Sequence, residues 1–264
     1  MSPSTGLRQL VACSVAALLL PLGAGAQTGI TMPSSDRAQP PARMSVALFG
    51  GWASFSQTRV NELIRIDNMI LTSPVADGGA GLEKGLKQIT DGLAFGAEVR
   101  YLLKGPWELV AGFERLRDRS RVDFQYDTGS GPADSYLEYE ADDWPVHAGV
   151  RYSFRFSDRY AYGIGLAAVI FPASRLHLAG RLGSLVELDQ TGTVFGMGLA
   201  LSWGGEMALS GPLTLQGTIR MRFGRAGDPK DDSGSVLTDP VEGKPITLDW
   251  SGVDIIVGLM IDLF

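Results

Sequence analysis

The chain has 264 residues, a net charge of −6 and a single cysteine, Cys13, so a disulfide scaffold and a basic nucleic-acid binder are both excluded. Glycine is abundant at 34 residues, and the five lysines (Lys84, Lys87, Lys104, Lys230, Lys244) fall in segments read below as loops or turns, while the strands carry arginine. A soluble β-protein would scatter lysine over its exposed strand faces, so this division needs a physical cause.

The first segment predicts export. Arg8 gives a positive start, Leu10 to Leu22 is an apolar run broken by Cys13, Ser14 and Pro21, and Gly23-Ala24-Gly25-Ala26 offers small residues for cleavage after Ala26. The run is too short for a membrane-spanning helix, so residues 1–26 read as a signal peptide. Only three apolar residues precede Cys13, which makes it a poor lipidation site and leaves it an inert residue of the signal. Residues 27–43, bearing Pro, Ser and Gln, read as a flexible periplasmic linker.

Residues 44–264 predict an all-β domain of eight strands. Met44 to Phe55 opens it with a weaker pattern interrupted by Gly50-Gly51. Next, Leu93, Phe95, Ala97, Val99, Tyr101 and Leu103 alternate with Ala94, Gly96, Glu98 and Arg100; Trp107, Leu109, Ala111 and Phe113 alternate with Glu108, Val110, Gly112 and Glu114. Val146, Ala148, Val150, Tyr152 and Phe154 oppose His147, Gly149, Arg151, Ser153 and Arg155. The fifth strand sets Tyr160, Tyr162, Ile164 and Leu166 against Ala161, Gly163, Gly165 and Ala167. The sixth sets Phe195, Met197, Leu199, Leu201 and Trp203 against Gly196, Gly198, Ala200, Ser202 and Gly204. Leu213, Leu215, Ile219, Met221 and Phe223 then oppose Thr214, Gln216, Thr218, Arg220 and Arg222, and Thr247 to Phe264 ends the set with one aliphatic face from Val253 to Leu263. Alternation at period two argues strand throughout.

Connections alternate in length as well. Those at Lys104-Gly105-Pro106, Ser157-Asp158-Arg159 and Ser210-Gly211-Pro212 are tight, while roughly 56–91, 118–143, 172–193 and 224–246 are long. Short periplasmic turns and long external loops are the layout of an up-and-down outer-membrane barrel. Arg121–Tyr126 and Tyr136–Ala141 still alternate across Thr128-Gly129-Ser130-Gly131, which predicts a paired ribbon beyond the membrane. In the first long connection Val60, Leu63, Ile64, Ile66 and Ile70 fit one side of a short helix, although a locally packed loop is the simpler expectation.

The face opposite the apolar one separates a membrane barrel from a soluble, lipocalin-like one. Glycines such as Gly163, Gly165, Gly196, Gly198 and Gly204 make a poor solvent surface but fit a narrow interior shared by opposite walls. Glu98, Arg100, Glu108, Glu114, His147, Arg151, Arg155, Arg220, Arg222 and Asp254 fall on that face and predict a lumen charge network, for which the arginine fork is suited. Those arginines are expected to outnumber the acids within reach, so Glu98, Glu114 and Asp254 would each be shared. Aromatics near the strand ends predict two girdles: Tyr101, Trp107, Phe154, Phe156 and Tyr160 by the tight turns, and Trp144, Phe171, Phe195, Phe223 and Trp250 by the long loops.

On this pattern the chain resembles the superfamily of small eight-stranded outer-membrane barrels of the outer membrane protein A and X type. The resemblance implies residence among outer-membrane lipids and insertion by the barrel-assembly machinery, which reads a terminal aromatic preceded by alternating apolar residues. Phe264 stands at that position, though Asp262 and Gly258 share its face.

Sequence motifs give no cofactor, metal site or catalytic constellation. Gly163-Ile164-Gly165-Leu166-Ala167-Ala168 reads GxGxxA but lies within a strand. In the acidic stretch from Asp228, Lys230 and Ser233 occupy positions that a calcium loop needs otherwise. His147 reads as a lumen hydrogen-bonding residue, and His177 falls in a long loop. The expected function is structural or interactive, carried by external loops that meet a ligand or surface partner. A narrow channel for small or apolar solutes, along the small-residue wall, is the alternative, and a lipid-modifying enzyme is a distant third.

Overall fold

A ribbon with one apolar face must turn that face to a core or to lipid, and a row of such ribbons loses its open edges only by closing. The computed structural model describes residues 44–73, 81–127, 131–157, 159–183, 186–238 and 243–263; the expected signal peptide 1–26, the expected linker 27–43 and Phe264 lie outside the described residues. Chain order runs β1 (Met44–Ser54), α1 (Thr58–Thr72), β2 (Asp91–Leu102), β3 (Trp107–Asp127), β4 (Pro132–Asp143), β5 (Val146–Arg155), β6 (Tyr160–Leu182), β7 (Val186–Ala208), β8 (Leu213–Ala226) and β9 (Gly252–Asp262).

Every pairing is antiparallel, and β1 closes the ring on β9 from Ser45↔Asp262 to Ala53↔Asp254. The nine strands make eight staves, because β4 and β5 are two lengths of one. β5 pairs with the lower halves of β3 and β6, and β4 with their upper halves. The break falls at Trp144-Pro145, where proline has no N–H to give the ladder. Beside it, the β6–β7 register shifts between Phe171 and Ser174, at Pro172. Two of the short turns carry glycine at positive φ, Gly105 at 65° and Gly211 at 57°, a conformation that favours glycine.

Two expected loops are mostly secondary structure. Residues 172–193 continue β6 and β7 as a hairpin that pairs from Ser174↔Val194 up to Leu182↔Val186. The ribbon of 118–143 forms too, pairing from Leu116↔Asp143 to Asp127↔Pro132. Four strands therefore rise beyond the ring. The expected packed loop at 56–91 contains α1, which buries Val60, Leu63, Ile64 and Leu71 but leaves Ile70 exposed. At the C-terminal end β9 begins at Gly252 rather than Thr247, and Leu248 and Trp250 meet β8 through single bonds to Ala226 and Gly224.

The apolar core lies above the ring's centre. Helix α1 and the segments after Leu82 and Leu237 fill the interior face of the raised strands, joining Leu116, Phe124, Tyr139, Leu176, Ile246, Leu248 and Trp250. Two asparagines seven residues apart on α1 hold its return segment: Asn61 exchanges hydrogen bonds with Ile89, and Asn68 with Leu86, at 2.6 to 2.9 Å. Asp67 also accepts a hydrogen bond from Tyr139 of β4, which ties the helix to the wall.

Candidate functional site

Strand parity builds the lumen. Ala47, Phe49, Glu98, Arg100, Glu114, His147, Arg151, Ala200, Gln216, Arg220, Arg222, Asp254 and Ile256 point inward and are buried. Their charged members form one chain along the barrel. At the turn end Arg151 Nη1 donates to Glu108 Oε2 at 3.0 Å and its Nη2 meets Glu206 Oε1 at 2.7 Å. Glu206 also binds Arg100, whose Nε donates to Glu98 Oε1 at 2.7 Å and whose Nη2 donates to Gln216 Oε1 at 2.6 Å. Glu98 then touches His147 Nε2 at 3.2 Å and Arg220 at 3.6 Å. Arg220 continues to Glu114 at 2.9 Å and lies 5.6 Å over the Phe49 ring. The chain ends with Arg222, 3.7 Å from Glu114 and 2.8 Å from Asp254. That last contact is close without hydrogen-bond alignment, for both Asp254 oxygens and Arg222 Nη1 lack a partner of that kind.

The expected charge balance is corrected here. Arg155 is exposed at the end of β5 and joins no contact in this chain among the described residues. Four arginines (Arg100, Arg151, Arg220, Arg222) thus meet five acids (Glu98, Glu108, Glu114, Glu206, Asp254). Sharing occurs at Glu98 and Glu114 as expected, and at Glu206, each of which takes two guanidinium groups, whereas Asp254 meets Arg222 alone within ion-pair distance among the described residues. Glu206, which continues the inward parity of Gly196 to Gly204, and Gln216, already expected on the inward face of β8, add to the predicted network.

The small-residue wall is occupied rather than open. A Cβ placed on Gly163 would fall 2.3 Å from Arg151 Cζ, and one on Gly165 would fall 2.6 Å from Ser202 Oγ. Glycine there makes room for a guanidinium lying against the wall. The space remaining among Phe49, Glu98, Arg100, His147, Arg151 and Arg220 is about 30 Å³, which holds about two waters.

Above the charges the interior turns apolar. Phe171 and Trp250, expected on the outer girdle, are both 0% exposed inside it. Phe171 has inward parity on β6, and Trp250 stacks edge-on with Phe55 at 5.3 Å while its Nε1 donates to Ser174 Oγ at 3.0 Å. Ser174 donates in turn to Asp143. The other proposed girdle residues Tyr101, Trp107, Trp144, Phe154, Phe156, Tyr160, Phe195 and Phe223 are exposed on the outer surface.

That outer surface has two zones. Lower down it is continuous apolar side chain, with Ile164 at 49% and Leu199 at 55% exposure. On the raised sheet it becomes a ladder of ion pairs that the sequence reading missed. Arg115 binds Asp142 through two bonds at 3.0 and 2.9 Å, Arg117 binds Glu140 at 2.8 Å, Arg119 binds Glu138 at 2.5 Å, and Arg121 binds Asp123 at 2.6 Å. Period-two arginine from 115 to 121 against period-two acid from 138 to 142 was the signal for it. His177 lies in this zone on β6, within 3.2 Å of Thr191, and not in a loop.

No protein-family model matches the chain, and no curated protein matches it by sequence. Among solved structures it is similar to Neisserial surface protein A, at 12% identity over 85% of this chain and 100% of that one, with a TM-score of 0.43. A major outer membrane protein from Thermus thermophilus gives 14% identity over 85% and 100%, with a TM-score of 0.43. Ail, the attachment invasion locus protein of Yersinia pestis, in complex with the heparin analogue sucrose octasulfate, gives 12% over 84% and 99%, with a TM-score of 0.37. At such identities and scores the class rests on this chain's own strand pairing and surface. A closed ring of eight antiparallel staves, charged inside and apolar outside, is a transmembrane β-barrel of the outer-membrane type.

Proposed function

We propose that the protein is a sealed barrel that carries an interaction surface above the outer membrane. The observation behind this reading is the chain of ion pairs from Glu108 to Asp254, which leaves about 30 Å³ of space where Glu98, Arg100, Arg151 and Arg220 meet. A route for solutes would have to break that chain. His147 serves as one of its hydrogen-bonding members.

The interaction surface is the raised four-stranded sheet. Pairing of β2 with β3 ends at Leu93↔Arg117, so the described part of β3 beyond it pairs with β4 alone. On the other side β7 leaves β8 at Gly196↔Ala226, and above it the described residues give β7 backbone bonds only from Gly227, to Phe195, and from Lys230, at Thr193. Both margins therefore present backbone groups able to take an extended segment of a partner, and the ion-pair ladder beside them selects by charge. Cells carrying the chain can be compared with cells carrying a version whose ribbon, 119–138, is replaced by a short turn. The reading expects equal amounts of folded barrel, and loss of whatever adhesion to coated surfaces the intact chain confers. Retained adhesion together with lost solute uptake would overturn it in favour of a channel.

A further inference from the structure

Most strand arginines in this barrel have an acid: those of the lumen chain and those of the external ladder from Arg115 to Arg121. Three outward ones do not, and of these Arg181 of β6 donates its Nε to the Gly183 carbonyl oxygen. Arg175 of β6 and Arg225 of β8 are exposed and have no ion pair or side-chain hydrogen bond among the described residues. The acids beside them are engaged elsewhere. Asp142, in register with Arg175, gives both oxygens to Arg115, and Asp249, bridged to Arg225 through the backbone, accepts from the Ser251 N–H.

Their height is as telling as their freedom. Ile170 is the last large apolar side chain on the outer face of β6, and beyond the exposed Pro172 and Ala173 of the irregularity Arg175 is the first charged one. Phe223 is the last on β8, and Arg225 follows it. Strand β7 runs between them, with Thr193 in register with Arg175 and Met197 with Arg225. Its outward Phe195 and Met197 are exposed, so two unpaired guanidinium groups flank an apolar strip at the top of the lipid-facing zone. Adjacent strands are about 4.8 Å apart and four residues of strand span about 13 Å, which puts the two arginine backbones roughly 17 Å apart, diagonally across β7.

We propose that this strip is a binding site for a phosphorylated glycolipid of the outer leaflet. Its acyl chain lies along Met197 and Phe195, and its phosphates take the Arg175 and Arg225 forks. The region just beyond the hydrocarbon is where lipid phosphate lies. Guanidinium binds phosphate with two parallel hydrogen bonds, and neither arginine has to give up an acid to do so.

The test uses the full chain refolded into phosphatidylcholine vesicles that contain equal minor amounts of bisphosphorylated lipid A and its dephosphorylated form. After detergent extraction, the two lipids retained per barrel are counted. The wild type should prefer the phosphorylated lipid, and Arg175→Gln with Arg225→Gln should cut that preference by about fivefold for each arginine removed. Arg155→Gln, which removes an unpaired arginine at the opposite end, should leave it unchanged, and heat-modified gel mobility checks that all variants are folded. Three results would overturn the site: no preference in the wild type, an undiminished preference in the double variant, or an equal loss in Arg155→Gln. Equal retention of phosphatidylglycerol in a parallel competition would show phosphate recognition without glycolipid selectivity and would overturn the choice of ligand.

Discussion

At Gly163 the absent side chain is the functional feature, because the Arg151 guanidinium occupies the space a Cβ would take. Gly163→Val should push Arg151 away from Glu108 and Glu206 and cost about 1–3 kcal/mol, the usual penalty for overpacking. Unfolding of the refolded variant in urea checks this, and wild-type stability would contradict it. Glu114→Gln removes the acid shared by Arg220 and Arg222 and should cost about 3–5 kcal/mol, because it leaves buried positive charge uncompensated. Above the membrane, burial pushes the Asp118 carboxyl up to about 6, with Lys87 at 3.8 Å opposing the shift. An acid whose folded pKa exceeds its unfolded value near 3.9 binds its proton more tightly when folded, so its contribution to stability grows as pH falls from about 7 to about 4. Asp118→Asn should therefore slow hydrogen exchange in the ribbon near neutral pH, an effect on the order of 1 kcal/mol that fades on acidification. Faster exchange in the variant would contradict the assignment. Parity makes most lumen residues legible in the sequence, whereas Phe171 and Trp250 stand near strand ends, where the sequence predicts an outer girdle, and are buried inside. The physical reason they are inside is that the interior above the charges is apolar.

Among elements, the strand cores were readable and their outer limits were not. The pattern of β6 and β7 loses its apolar outward face above Ile170 and Phe195, because the strands leave lipid there and not because they end. Helix α1 was visible in Val60, Leu63 and Ile64, but Leu71 rather than Ile70 completes its buried side. The outward face of β6 and β7 is lipid-facing lower down, so Ile164→Arg or Leu199→Arg should destabilise the inserted barrel by about 2–4 kcal/mol near the midplane. Arginine at Ser202 would crowd Gly165 inside instead, and its penalty should not vary with bilayer thickness. Folding yields in thin and thick bilayers separate the two cases. Equal tolerance of arginine at Ile164 and Leu199 would mean that face does not meet lipid.

For the whole molecule, the ring divides a charged interior within the membrane from an apolar one above it, and both are filled. The long connections leave from one end, so a tag beside Asp189 or Asp232 should be reached by antibody on intact cells and one beside Lys104 should not. The claim that most depends on this arrangement is closure of the lumen. Single-channel recording of the refolded wild type in planar bilayers, beside Glu98→Gln with Glu114→Gln, tests it most directly. The wild type should show little steady conductance, while the double variant, with Arg100, Arg220 and Arg222 short of acids, should open an anion-leaning leak. A large, steady wild-type conductance that the double substitution leaves unchanged would contradict the sealed barrel.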